Sequence, residues 1–200
     1  MTMKKLSADL LRLCDALKIG RASFVGCSVG GYILFEFWRR SRERVKSLVL
    51  MDTRPGEDTD EGKAGRLKNA EETLLKGPDW AIEQMLPKLL APVTLSLRLD
   101  VVERAKATMR QGSAEGMAAM QRAMAFRADS KETLKTIDVP TLVLGGEDDV
   151  PSPVSELEKM ALGIRGAELK ILGRAGHFAA FEQPEDAGRV VREFLERTGR

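Results

Sequence analysis

The chain has 200 residues, 43% of them hydrophobic and 31% charged, the composition of an ordinary globular domain able to bury a sizeable core. With 32 Lys and Arg against 30 Asp and Glu the net charge is +2, which excludes the electrostatic footprint of a nucleic-acid or anionic-membrane binder. Two cysteines, Cys14 and Cys27, make no disulfide framework, the single histidine, His177, excludes a Cys/His zinc site, and no acidic cluster has magnesium-site spacing, so no cofactor is expected.

Apolar residues at Leu6, Leu10, Leu13, Cys14 and Leu17 predict an amphipathic helix, with Ser7 as a candidate cap and Gly20 as the stop. The opening "MTMKKLSADLL" breaks off too early for the apolar core of a secretion signal, and runs such as "SLVLM" are far too short to span a membrane. The expected location is therefore the cytoplasm. "RASFVG" reads as a buried strand, "GYILFEFWRR" as a buried helix and "RVKSLVLMD" as a second buried strand. Strand, helix, strand is the grammar of a parallel sheet, which places the chain in the α/β class.

The character changes at "TRPGEDTDEG", residues 53–62, where Pro, Gly and acids predict a linker or loop. Residues 63–126 carry a helical, methionine-rich pattern that Gly77-Pro78 and Pro87 should break into short helices. "IDVPTLVLGGEDD" resumes the strand pattern, "PVSELEKMALGI" reads as a helix and "AELKILG" as a last strand. "PEDAGRVVREFLERT" reads as an amphipathic helix with Val190, Val191, Phe194 and Leu195 on one side. The expected organisation is thus a core in two parts, 1–55 and 136–200, interrupted by an all-helical insertion at 56–135.

Gly26, Cys27, Ser28, Val29 and Gly30 spell G-x-S-x-G between a predicted strand and a predicted helix, the context of a nucleophile elbow. The glycines are expected because the serine sits on a strained turn where side chains two residues away would meet the neighbouring strand and helix, and Gly31 relaxes the packing further. The Val29 N–H, opening the helix, is a candidate oxyanion donor. A serine hydroxyl needs a base, and His177 follows the last predicted strand in "GRAGHFAAFEQP", at the end of the sheet where Ser28 lies. The base needs an orienting carboxylate: Glu147, Asp148 and Asp149 all follow the preceding strand, and Asp52, at the end of the second strand, has the same geometric logic. Cys27 competes as nucleophile only in a register that replaces the flanking glycines with Val25 and Val29, so it is read as a small buried filler.

On these residues the chain resembles the α/β-hydrolase superfamily, and within it the small serine esterase and 3-oxoadipate enol-lactonase group. The resemblance runs through "LLRLCDALKIGRASFVGCSVGGYILFEFWRRSRERVKSLVLMDTRP", "IDVPTLVLGGEDDVPSP" and "GRAGHFAAFEQPEDAGRVVREFL". It implies a triad of Ser28, Asp149 and His177, because the group's G-x-x-D-x-x-x-P pattern falls on Gly146, Asp149 and Pro153 and so selects Asp149 over its neighbours and over Asp52. It also implies that the helical insertion is a lid, with Trp80, Met109, Met117, Met120 and Met124 as candidates for lining the substrate pocket. A serine at the elbow argues against the dehalogenase and epoxide-hydrolase chemistry that this fold runs with aspartate.

The predicted elements match only the last four strands of the eight in that superfamily. The unmatched half includes the loop that supplies a second oxyanion N–H, and loss of one such donor costs on the order of a hundred- to a thousandfold in turnover. The elbow strand would also become an exposed apolar edge, available to a partner chain or a second copy, and Met1 or Met3 would be an internal methionine or the gene truncated. The expected activity is hydrolysis of a small carboxylic ester or lactone through an acyl-enzyme. The alternatives are an impaired half-domain that acts only with a partner, and carbon–carbon bond hydrolysis or perhydrolysis by the same triad.

Overall fold

The computed structural model describes residues 1–198; the last two positions of the expected second core segment, 199 and 200, lie outside the described residues. Its centre is a four-stranded sheet, β1 (Ala22–Cys27), β2 (Val45–Met51), β3 (Thr141–Gly146) and β4 (Glu168–Leu172), in that spatial order. All three pairings are parallel, so each connection must cross over the sheet.

The crossovers place helices on both faces, and the strands read accordingly as apolar runs. On one face Leu48, Leu50 and Val143 pack against Leu34, Phe35, Phe37 and Trp38 of α2 (Val29–Ser41) and Leu157 and Met160 of α9 (Val154–Gly163). On the other, Val49, Met51, Leu142 and Leu144 pack against Phe194, with Val190, Val191 and Leu195 of α10 (Pro184–Thr198) beside them. Period-2 alternation along β2 sends successive residues to opposite layers, which is why a strand without polar alternation forms here. Within the described sheet β1 is an edge strand, and its Val25 is 52% exposed.

The first helix, α1 (Met3–Ala16), begins earlier than the apolar stripe suggests: Thr2, not Ser7, is the cap, its hydroxyl accepting the Lys5 N–H at 3.1 Å. Ser7 is buried inside the helix. Between β2 and β3 the chain forms α3 (Asp60–Lys76), α4 (Pro78–Leu89), α5 (Pro92–Leu97), α6 (Leu99–Met109), α7 (Ala114–Ala125) and the short α8 (Lys131–Leu134), with no strand among them. Gly77, at φ 88°, breaks α3 from α4 and Pro78 opens α4, but Pro87 sits inside α4 and does not break it. The "TRPGEDTDEG" stretch is a loop over 53–59 in which Thr53, Pro55, Gly56 and Asp58 are buried, while its last three residues already belong to α3.

Candidate active site

Three strand ends converge at the carboxyl edge of the sheet, where parallel α/β proteins place their ligands. Ser28 links β1 to α2 with φ 50° and ψ −111°, a backbone that an L-residue adopts only under restraint. The restraint is visible: the Ser28 N–H donates to Met51 O at 2.8 Å, and the Ser28 carbonyl accepts from Gly31 N–H at 2.9 Å and from the Thr53 hydroxyl at 2.8 Å. A Cβ on Gly26 would lie 2.6 Å from Leu34 Cδ1 and 2.7 Å from the Gly30 backbone, and one on Gly31 would collide with the Thr53 side chain. Gly30 differs from the expectation, since a Cβ there would meet nothing within 4 Å. The close approach is made by the Gly30 backbone to Gly26, so only one of the pair must lack a side chain for steric reasons.

His177 is 4% exposed in the turn after β4, and its Nε2 lies 2.7 Å from Ser28 Oγ. Its Nδ1 lies 2.9 and 3.0 Å from the two carboxylate oxygens of Asp149, which is 3% exposed and also accepts the Ser152 N–H at 2.8 Å. Of the acidic run after β3, Glu147 is exposed and Asp148 half-buried, while Asp149 alone turns in to His177. β3 and the histidine turn approach closely because Gly146 has no side chain; a Cβ there would strike the Ala175 and Gly176 carbonyl oxygens. Such an array is what general-base activation of a hydroxyl requires: a base in hydrogen-bond reach of the nucleophile and a carboxylate behind it.

Asp52 does not join the array. Its Oδ1 accepts the Gly146 N–H at 3.1 Å and its other oxygen lies 3.9 Å from Cys27 Sγ. Burial, and then the nearby Asp149 carboxylate, push its pKa up from 3.8 to about 8. Cys27 is not the buried filler it resembled in sequence. It is exposed along the open edge of β1, although its sulfur faces Asp52; desolvation, followed by the Asp52 and Asp149 carboxylates, pushes the thiol up to about 12, where it is no nucleophile at neutral pH.

A cavity of about 400 Å³ opens over Ser28 and His177, walled by the loop after β2, α3, α4 and α7. Trp80 and Met124 line it. Met117 and Met120 do not: Met117 lies against Gly112 at the turn between α6 and α7, and Met120 packs with Met3, Tyr32 and Ala123. Met109 is likewise taken up in packing with Leu86, Val102 and Phe181. Two features went unread in the sequence. One is the Asp58 carboxylate in the cavity wall, gripped by Arg54, Arg66 and Arg127. The other is Glu182, which is fully buried and accepts the Gly176 N–H at 2.7 Å and the Ala91 N–H at 2.9 Å, stitching the histidine turn to the start of α5. The Phe178 N–H donates to Leu89 O at 3.0 Å across the same seam.

A family model described as the alpha/beta hydrolase fold matches residues 1–184. The chain belongs to the α/β-hydrolase family. A 2-hydroxy-6-oxo-2,4-heptadienoate hydrolase of Pseudomonas putida is 31% identical over 94% of this chain and 68% of its own length. A 3-oxoadipate enol-lactonase of Acinetobacter baylyi is 26% identical over 96% of this chain and 70% of its own. Among solved structures, a thermophilic esterase from Thermogutta terrifontis with malate bound superposes with a TM-score of 0.95 at 36% identity, covering 99% of this chain and 73% of the esterase. The chain is thus a hydrolase by fold and kinship. Among the described residues no helix is long and apolar enough to cross a membrane. None of them forms a strand before β1.

Proposed function

We propose that this α/β-hydrolase cleaves a small carboxylic ester or lactone by an acyl-enzyme route in which Ser28, His177 and Asp149 act as the triad. The reading is carried by one observation, the continuous chain of short contacts from Ser28 Oγ through both ring nitrogens of His177 to the buried Asp149. Ser28 Oγ attacks the substrate carbonyl while His177 Nε2 takes its proton; the tetrahedral intermediate collapses as His177 returns that proton to the leaving alcohol. Water, deprotonated by His177, then releases the acid. Asp149 holds the imidazole in the tautomer that presents Nε2 as a base and stabilises the imidazolium that forms. The Val29 N–H, which opens α2, binds the developing oxyanion in this reading. The helices α3–α7 serve as the lid, with Trp80 and Met124 shaping the acyl pocket and Gly26 and Gly31 leaving room for the elbow.

The partner is a small molecule, and a cavity of this size suits an ester or lactone of a few carbons. Steady-state hydrolysis of short 4-nitrophenyl esters and of five- and six-membered lactones tests the reading. Turnover that Ser28→Ala abolishes supports it; turnover equal in Ser28→Ala and wild type would overturn it. A 2-hydroxy-6-oxo-dienoate belongs in the same panel, because a relative at 31% identity bears that activity in its name. Turnover of that compound alone would favour carbon–carbon cleavage by the same residues.

A further inference from the structure

The peptide unit that joins Ser28 to Val29 carries a polar group at each end: the Ser28 carbonyl, and the Val29 N–H that serves as oxyanion donor in the proposed reaction. No cis peptide bond occurs among the described residues, so in this planar trans unit the two groups point in opposite directions. Whatever holds the carbonyl therefore aims the N–H. The Ser28 carbonyl accepts from the Gly31 N–H at 2.9 Å and from the Thr53 hydroxyl at 2.8 Å. The Gly31 bond comes from the first turn of α2 itself, whereas Thr53 reaches in from the loop after β2, 25 positions along the chain.

Thr53 is fully buried and held in place from both sides. Asp52, immediately before it, has φ 46°, a left-handed conformation that Asp tolerates better than most side chains. Asp52 is pinned to β3 by its N–H, which donates to Leu144 O at 2.9 Å, and by its Oδ1, which accepts the Gly146 N–H at 3.1 Å. Two neighbouring parallel strands thus run out into left-handed residues, Ser28 at φ 50° and Asp52 at φ 46°, and the Thr53 hydroxyl bridges from one to the other. On the elbow side Gly31 makes the room, since a Cβ there would overlap both Oγ1 and Cγ2 of Thr53. A buried hydrogen bond at the oxygen of an amide also polarises it, which strengthens the N–H at the other end as a donor.

We propose that Thr53 is a positioning residue for the oxyanion donor: acting through the Ser28 carbonyl, its hydroxyl aims the Val29 N–H at the oxygen of the reacting carbonyl and strengthens it. The proposal rests on the hydrolase reading. It assigns Thr53 an effect on the charge that develops in the transition state and none on proton transfer by His177.

The test is Thr53→Val, which exchanges the hydroxyl for a methyl of the same shape. The Gly31 bond stays on the Ser28 carbonyl, so no buried acceptor is orphaned and the fold should hold by circular dichroism; Thr53→Ala reads the same loss should the valine variant not fold. With a short 4-nitrophenyl ester, acylation and deacylation both pass through an oxyanion. The expected result is a fall in kcat of about ten- to thirtyfold with KM held within about twofold, a smaller loss than that of a donor removed outright. Butylboronic acid, whose boron bonds Ser28 Oγ to give an anionic tetrahedral adduct, should inhibit more weakly by the same factor, while inhibition by butyramide, planar and neutral, should not change. The pH profile of kcat/KM should keep its shape, because His177 and Asp149 are untouched. Thr53→Ser, which keeps the hydroxyl and loses the methyl, should recover most of kcat. Thr53→Val with wild-type kcat and boronate inhibition, or Thr53→Ser as impaired as Thr53→Val, would overturn the proposal and leave the hydrolase reading standing. So would a rise in KM at unchanged kcat, which places Thr53 in substrate binding, or a displaced pH profile, which places it behind the base. Turnover that Ser28→Ala does not abolish would overturn the hydrolase reading and this proposal with it.

Discussion

Asp52 and Asp149 end neighbouring parallel strands or the turns just beyond them, both are buried, and their fates are opposite. Asp149 meets the His177 ring and the Ser152 N–H, which stabilise a carboxylate. Asp52 meets the Gly146 N–H and a thiol, with no cation, and its pKa stands at about 8, so it keeps its proton at neutral pH. Residue type and position on the sheet thus do not decide which acid can orient a base; the partner within reach does. The neutral Asp52 still has a structural part, since it ties the end of β2 to the end of β3 directly beneath the elbow.

The sharpest way to break this comparison is to replace the carboxyl group by an amide at each position in turn. Asp149→Asn should lower kcat by about 10⁴-fold, since the amide cannot hold the imidazole in its working tautomer, with the fold intact by circular dichroism. Asp52→Asn should leave kcat within a few-fold of wild type. If the two losses were alike, the assignment of the third triad member would be wrong.

Asp58 gives the next largest effect, and it supplies the contrast of a buried acid with abundant cations. Burial raises its pKa, but hydrogen bonds from Arg127 and Arg66 outweigh that and hold it at about 2, below the ordinary 3.8. The stabilisation it provides is complete above about pH 4 and is lost as pH falls through about 2. Asp58→Asn should destabilise the protein at neutral pH by about 3–5 kcal/mol, the cost of leaving buried charges unpaired, and chemical denaturation at pH 7 measures it.

Glu182→Ala tests the seam between the histidine turn and α5. It leaves the Gly176 and Ala91 N–H groups without acceptors beside His177, and a displacement of about 1 Å at the base costs roughly 10²-fold in kcat. Glu182→Gln, which keeps one acceptor oxygen, should recover part of the loss. A variant that is destabilised but keeps wild-type kcat would show that the seam does not position the histidine.

The last effect separates Asp52 from Asp58 by sign. Between about pH 4 and 8 native Asp52 holds a proton that the unfolded chain has released, so wild-type stability falls as pH rises through that window. Asp52→Asn removes the dependence, and its stability relative to wild type should improve steadily from pH 4 to pH 8 in denaturant titrations. A constant difference across that range would mean that Asp52 is ionised throughout.

These contrasts also explain what could be read from the sequence. The elbow, His177 after the last strand, and the parallel strand grammar are local patterns, and each recurs in the structure at its expected place. Asp149 needed the family pattern to stand out from Glu147 and Asp148, because all three follow β3 and only the fold turns one of them inward. The Asp58 cluster was illegible: its loop has the composition of a linker, and Arg127 lies 69 positions away. The methionines of α7 look alike along the helix, yet Met124 reaches the cavity wall while Met120, one turn earlier on the same face, packs against Met3 and Tyr32. Gly30 taught the reverse lesson, a motif position with open space beside it.

The central claim is that Ser28 is an activated nucleophile. Intact mass after treatment with a fluorophosphonate tests it most directly, with Ser28→Ala alongside. One adduct per chain on wild type, absent from Ser28→Ala, is the predicted result. No adduct on a folded chain, or an adduct that persists in Ser28→Ala, would contradict the account.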